Sequence, residues 1–174
     1  MRVSVVGSSG SGKSTFARTL ARQLAIPHLE LDSIYHQANW TPLPDDEFRA
    51  RVASFTAGDA WVVDGNYSIV RPVVLERATH VVWLDYTRFV IMSRVIRRSF
   101  ARAFIHRELW NGNKESIRNW VDREHPIRWA WDTFERRRAD YEARYSSPEA
   151  AHLQVARLRA PHEADAWLAQ ASAT

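Results

Sequence analysis

The chain contains no cysteine. That excludes disulfide frameworks, thiolate zinc sites, iron–sulfur clusters and thiol nucleophiles. It suits a cytoplasmic protein without requiring one. Lysine is almost missing too: of 24 cationic side chains only Lys13 and Lys114 are lysines. Glycine is scarce, with six in 174 residues. No apolar run approaches the roughly 18 residues of a membrane-spanning helix. Met1–Gly7 is too short for a signal-peptide core, so no membrane partner is expected.

What is present is average for a globular chain: 45% hydrophobic and 25% charged residues. Disorder and coiled coil are poor descriptions of such a composition. With no internal repeat and no long Pro/Gly/Ser linker, one domain spanning 1–174 is expected. The net charge is +4 and the sequence pI about 9.8, carried by arginine. Two causes are open at the level of composition. One is the codon bias of a GC-rich genome; the other is binding of phosphate or nucleic acid, since guanidinium groups hold phosphate oxygens in a bidentate way.

Five apolar runs predict buried strands: 2–6, 28–31, 61–63, 80–84 and 152–157. Helical patterns fall at 13–24, 45–56, 88–109, 127–145 and 163–171. Strands alternating with helices predict an α/β fold, with a parallel sheet covered on both faces. The strands run out into Gly7, Asp32, Asp64 and Asp85, at the carboxyl edge where open α/β sheets bind ligands.

Residues 7–14 read Gly-Ser-Ser-Gly-Ser-Gly-Lys-Ser and match G-x-x-x-x-G-K-[ST], the phosphate loop. Glycines let the backbone curl so that successive N–H groups point at phosphate oxygens, and the following helix starts with its positive end on the same anion. Gly7, Gly10, Ser11, Gly12, Lys13, Ser14 and Thr15 are therefore the candidate ATP-binding residues. Lys13 is expected on the β- and γ-phosphates and Ser14 on Mg²⁺. One of two lysines standing at the one position that needs a compact ammonium supports this assignment.

Phosphoryl transfer also calls for acids. One serves the metal side and one accepts the proton of an attacking hydroxyl. Asp64, followed by Gly65, is the metal-side candidate and Asp32 the acceptor-side candidate; Asp85 is an alternative to Asp64 or a helix cap. Residues 88–107 hold six arginines before the first acid, Glu108. Arg94, Arg97, Arg98 and Arg102 share one face at 100° per residue, with Phe89, Met92, Ile96, Phe100 and Ala103 expected opposite, towards the core. A one-sign stripe repels itself unless an anion lies on it. Arg94 and Arg98 are thus candidate catalytic cations. Tyr35, His36, Trp40 and Tyr67 either stack on a bound base or cover the core.

The N-terminal phosphate loop, Leu31-Asp32, Trp61-Val-Val-Asp-Gly-Asn-Tyr67 and Trp83-Leu-Asp85 before an arginine helix resemble the P-loop small-molecule and nucleoside-monophosphate kinases. With Glu108-Leu-Trp-Asn-Gly-Asn113 and Val155-Ala-Arg-Leu-Arg159, they are similar to the bacterial adenylate kinase-like, or DNA topology modulation, proteins. The resemblance covers essentially the whole chain. It implies a three-layer fold with a five-stranded parallel sheet in the order 2-3-1-4-5 and a helical lid at about 94–126. It also implies Mg-ATP at the loop, an acceptor near Asp32, and Arg159 with Pro161 beside the adenine. True adenylate kinases carry Asp-Gly-Phe-Pro-Arg where this chain has Asp64-Gly-Asn-Tyr-Ser68, so Arg71 is the substitute expected to hold an acceptor phosphate. Three functions are open at this point. The first is a kinase acting on a nucleoside monophosphate or another small hydroxyl or phosphate compound. The second is an ATP-binding regulator of nucleic acid, and the third an ATPase that needs a partner.

Overall fold

The computed structural model describes residues 1–105, Asn111 and 126–171. Five strands, β1 (Arg2–Gly7), β2 (His28–Glu30), β3 (Trp61–Asp64), β4 (His80–Leu84) and β5 (Gln154–Leu158), form one sheet. Every pairing is parallel and the spatial order is β2-β3-β1-β4-β5. The helices are α1 (Lys13–Leu24), α2 (Leu31–Tyr35), α3 (Asp45–Thr56), α4 (Arg71–Arg77), α5 (Arg88–Ile105), α6 (Pro126–Tyr145) and α7 (Pro161–Ala171). Among the described residues no helix is long and apolar enough to cross a membrane.

Side-chain alternation splits the core in two. Val3, Val5, Val62 and Val82 face Phe16 and Leu20 of α1, Ile91 and Val95 of α5, and Ala164 of α7. Val6, Trp61, Val63, Val81 and Trp83 face Phe48 and Val52 of α3, Val74 of α4 and Tyr141 of α6. Both sheet faces are therefore covered, which is why the strands read as continuous apolar runs rather than as alternating ones.

Helix boundaries follow local chemistry. α3 begins after Pro44 with Asp45, Asp46 and Glu47 in its first turn, where acids offset the positive helix end. α4 carries Pro72 at its start; at seven residues it is too short to show a helical period, and the sequence did not predict it. β2 stops at Glu30, one residue before the predicted end. There the chain turns into α2, with Ser33 Oγ donating to the Glu30 carbonyl at 2.6 Å.

The expected buried face of α5 needs correcting. Ile91, Val95 and Ser99 are buried, whereas Phe89 is 82% and Ile96 38% exposed. The helix is rotated because its contact is with the phosphate loop as well as the sheet. Gly10 sits beneath it at φ 86°, and a Cβ there would strike Val95 Cγ2 and come within 3.1 Å of the Ile91 carbonyl oxygen. Gly10→Ala is expected to cost about 3 kcal/mol, from overpacking together with left-handed strain. Urea denaturation of the variant against wild type checks this.

Candidate active site

Gly7, Gly10 and Gly12 all adopt positive φ, at 150°, 86° and 91°. The loop they form ends in α1, whose first turn has no acid and whose N-cap, Gly12, has no side chain to cap with. The helix therefore presents its positive end uncompensated. Ser11 Oγ is fully enclosed there and finds no partner among the described residues. Lys13 Nζ donates to the Ser8 carbonyl at 3.1 Å. Burial pushes the Lys13 ammonium below its ordinary value, and Arg137 and Arg98 add to this, while Asp32 and Asp64 oppose it. A half-buried cation, an uncapped helix end and an orphaned hydroxyl together make a site for an anion with several oxygens.

α5 adds charge from above. Arg94 Nη1 donates to the Ser11 carbonyl at 2.8 Å and its guanidinium lies 5.1 Å from the Tyr86 ring centre. Arg98 Nη2 lies 3.4 Å from Ser9 Oγ. The arginine stripe thus faces the loop. Arg102 and the Glu108–Asn113 string, Asn111 apart, lie outside the residues whose side chains are described.

The acids close the other side. Asp64, at the end of β3, is 2% exposed. Its Oδ2 accepts from Ser14 Oγ at 2.6 Å and its Oδ1 lies 2.8 Å from His28 Nε2. Asp32 sits in the first turn of α2 rather than on a strand end, and Tyr67 Oη donates to its Oδ1 at 2.6 Å. Burial, together with the Asp32 charge and this hydrogen bond, pushes the Tyr67 phenol up, so it remains a proton donor. His36 Nε2 is 3.3 Å from the same phenol oxygen. Asn111 reaches across to α2, donating to the carbonyl of His36 at 2.6 Å.

The loop, Asp32 and the arginines of α5 line one cavity of about 710 Å³, with Asp64 behind Ser14. The loop residues Ser9–Thr15 form its floor, with Glu30 and Asp32 at one side and Arg94, Arg97 and Arg98 above. Thr19, Pro161, Ala164, Asp165 and Leu168 complete it. The volume lies in the range of small-ligand sites.

No family model matches the chain, and no curated protein matches it. Solved structures do. A shikimate kinase from Acinetobacter baumannii, in complex with shikimate, superposes with a TM-score of 0.56 at 19% identity, over 97% of this chain and 88% of that one. A gluconokinase from Sinorhizobium meliloti 1021 does so with a TM-score of 0.53 at 18% identity, over 98% and 93%. The chain has the P-loop kinase fold.

Within this kinase fold three sequence candidates stand elsewhere. Asp85, the alternative metal-side acid, is 6% exposed and committed to arginines: Arg157 Nη2 at 2.8 Å and Arg138 Nε at 3.1 Å. Arg157 also pairs with Glu142 and stacks 4.2 Å over Trp83. Asp85 therefore ties β4 to β5 and α6. Arg71 does not line the cavity; its Nε donates to Asn66 Oδ1 at 3.1 Å, beside Tyr67 and Tyr145. Arg159 is exposed and also outside the lining, which Pro161 and the inner face of α7 supply instead. Reasoning from the sequence missed His28, since a histidine opening a strand carries no local signal. Tyr67 was expected either to stack on a base or to cover the core; its bond to Asp32 gives it a further place in the site.

Asp85→Asn is expected to lower stability by about 3 kcal/mol, the cost of breaking a buried ion pair, and to leave nucleotide affinity within twofold. Urea unfolding and equilibrium dialysis of a nucleotide measure the two effects separately.

Proposed function

We propose that the chain is an ATP-dependent kinase that transfers the γ-phosphoryl group to a hydroxyl of a small acceptor in the cytoplasm. The kinase unit would span 1–174, with 94–126 as its lid. The observation that carries this reading is the convergence of Lys13, Arg94, Arg98 and Asp32 on one cavity at the uncapped N-terminus of α1.

In this mechanism the loop N–H groups and Lys13 hold the β- and γ-phosphates, as the matching motif does in P-loop enzymes. Ser14 Oγ and Asp64 Oδ2, 2.6 Å apart, offer two hard oxygens on one edge, which fits Mg²⁺ held jointly with phosphates. Mg²⁺ bound there supplies charge neutralisation across the phosphates. Arg94 and Arg98 neutralise the oxygens of the group in transit; such cations are worth ~10³–10⁵ in rate. Asp32 takes the proton of the attacking hydroxyl on Oδ2, while Tyr67 holds Oδ1 and fixes the carboxylate plane. The pocket between α1 and α7 receives the base.

A hydroxyl acceptor is favoured over the acceptor phosphate of an adenylate kinase-like enzyme. Glu30 and Asp32 place two carboxylates at that side of the cavity, and Arg71 stands outside it. The inward stripe of Arg94 and Arg98 supports a polyphosphate ligand over nucleic acid.

The test is a screen of Mg-ATP with neutral polyols, sugars, hydroxy acids and nucleoside monophosphates, following acceptor-dependent ADP. A hydroxyl compound without phosphate is expected to give turnover. Asp32→Asn is expected to lower kcat by about 10²–10⁴, the contribution of a positioned base, with ADP affinity unchanged. ADP release from no hydroxyl acceptor, or full turnover by Asp32→Asn, defeats the proposal. Lys13→Ala is expected to abolish measurable ATP binding while circular dichroism keeps the wild-type spectrum.

A further inference from the structure

His28 opens β2 and has no part in the mechanism above, yet it makes one of the shortest polar contacts near the site. Its Nε2 lies 2.8 Å from Asp64 Oδ1. The two residues come together by register. Glu30 pairs with Asp64 and His28 with Val62, so by the period of two His28 stands on the same sheet face as Asp64, one repeat behind it. The imidazole reaches forward to the carboxylate. Both groups are enclosed, with side chains 15% and 2% exposed.

A buried carboxylate requires a donor on each oxygen. Ser14 donates to Oδ2, and Oδ1 needs an N–H, so Nε2 carries the proton and the tautomer follows from the contact. The consequence is geometric. With Oδ1 held, the carboxylate has one orientation, and in it Oδ2 shares an edge with Ser14 Oγ at the phosphate loop. Without that donor Oδ1 is an unsatisfied buried acceptor. The carboxylate then turns to recover a partner and takes Oδ2 away from Ser14.

We propose that His28 is a positioning residue for the divalent-cation side of the site: it orients Asp64 and thereby sets the affinity for the Mg²⁺ that accompanies the nucleotide. The proposal rests on the assignment of Ser14 and Asp64 to the cation. Partners that orient a metal ligand from behind typically govern 10–100-fold in metal affinity.

The experiment measures binding rather than turnover. A fluorescent ADP analogue is titrated into wild type, His28→Leu, His28→Gln, His28→Asn and Asp64→Asn, once in EDTA and once across a Mg²⁺ series at one pH. In His28→Leu the Mg²⁺ concentration for half-maximal enhancement of binding is expected to rise about 10–100-fold, with affinity in EDTA within twofold of wild type. Glutamine can place its amide N–H near the imidazole Nε2 position and is expected to restore the midpoint to within threefold. Asparagine is one methylene shorter and is expected to behave as leucine does; it replaces leucine in the comparison if His28→Leu does not fold. A wild-type midpoint in His28→Leu and His28→Asn, with a shifted midpoint in Asp64→Asn, overturns the role of His28 alone. Equal loss of affinity with and without Mg²⁺ in all His28 variants makes the residue structural and also overturns it. An unshifted midpoint in Asp64→Asn overturns the assignment of Asp64 itself, and the proposal with it.

Discussion

The amino end of α1 is a positive helix terminus left without an acid or a side-chain cap, and the surrounding structure is organised around that deficit. α3 shows the ordinary solution, with three acids in its first turn. α1 instead starts from a glycine, points its N–H groups into a cavity, and gathers more cations about them. Lys13 is half-buried at the loop, and Arg94 and Arg98 reach the loop from α5. Such a concentration of one sign is costly in the absence of a ligand. Burial, more than the neighbouring cations, holds the Lys13 ammonium below its ordinary value. Such an arrangement of N–H donors and cations suits an anion with several oxygens.

Three acids lie at or just beyond the carboxyl edge of the same sheet, and their partners separate them into three tasks. Asp64 has Ser14 on one oxygen and His28 near the other, an oriented carboxylate beside the loop. Asp32 has a phenol on one oxygen and faces the cavity. Asp85 is bound by two guanidiniums and holds β4, β5 and α6 together. Identical side chains at similar topological positions thus do different work, because a carboxylate's role is set by which donors reach it.

Much of the framework was legible in the chain. The bounds of α1 and α3 coincide with the helical patterns at 13–24 and 45–56, and the sheet order agrees with that implied by the resemblance. Covered parallel strands give strong apolar runs, and long amphipathic helices give strong periods. α2 and α4 were missed because five and seven residues hold too little of a period to register. The inward face of α5 was misjudged because hydrophobicity alone placed Phe89 and Ile96 towards the core. The actual rotation follows from the seat of Val95 and Ile91 on Gly10, a contact of two segments far apart in sequence.

The sequence by itself determined the phosphate loop, the identity of its lysine, the α/β alternation and the placing of arginines on one helical face. Each of these is local: backbone freedom at glycine, helix periodicity and residue type operate within a few positions of one another. Tertiary structure alone decided which acid faces which partner. Ser14 meets Asp64 across 50 positions, His28 meets it across 36, and Arg157 meets Asp85 across 72. Those encounters are products of strand register and helix packing. The division among an aspartate held by serine and histidine, one held by a phenol and one held by two arginines therefore exists only once the sheet has formed.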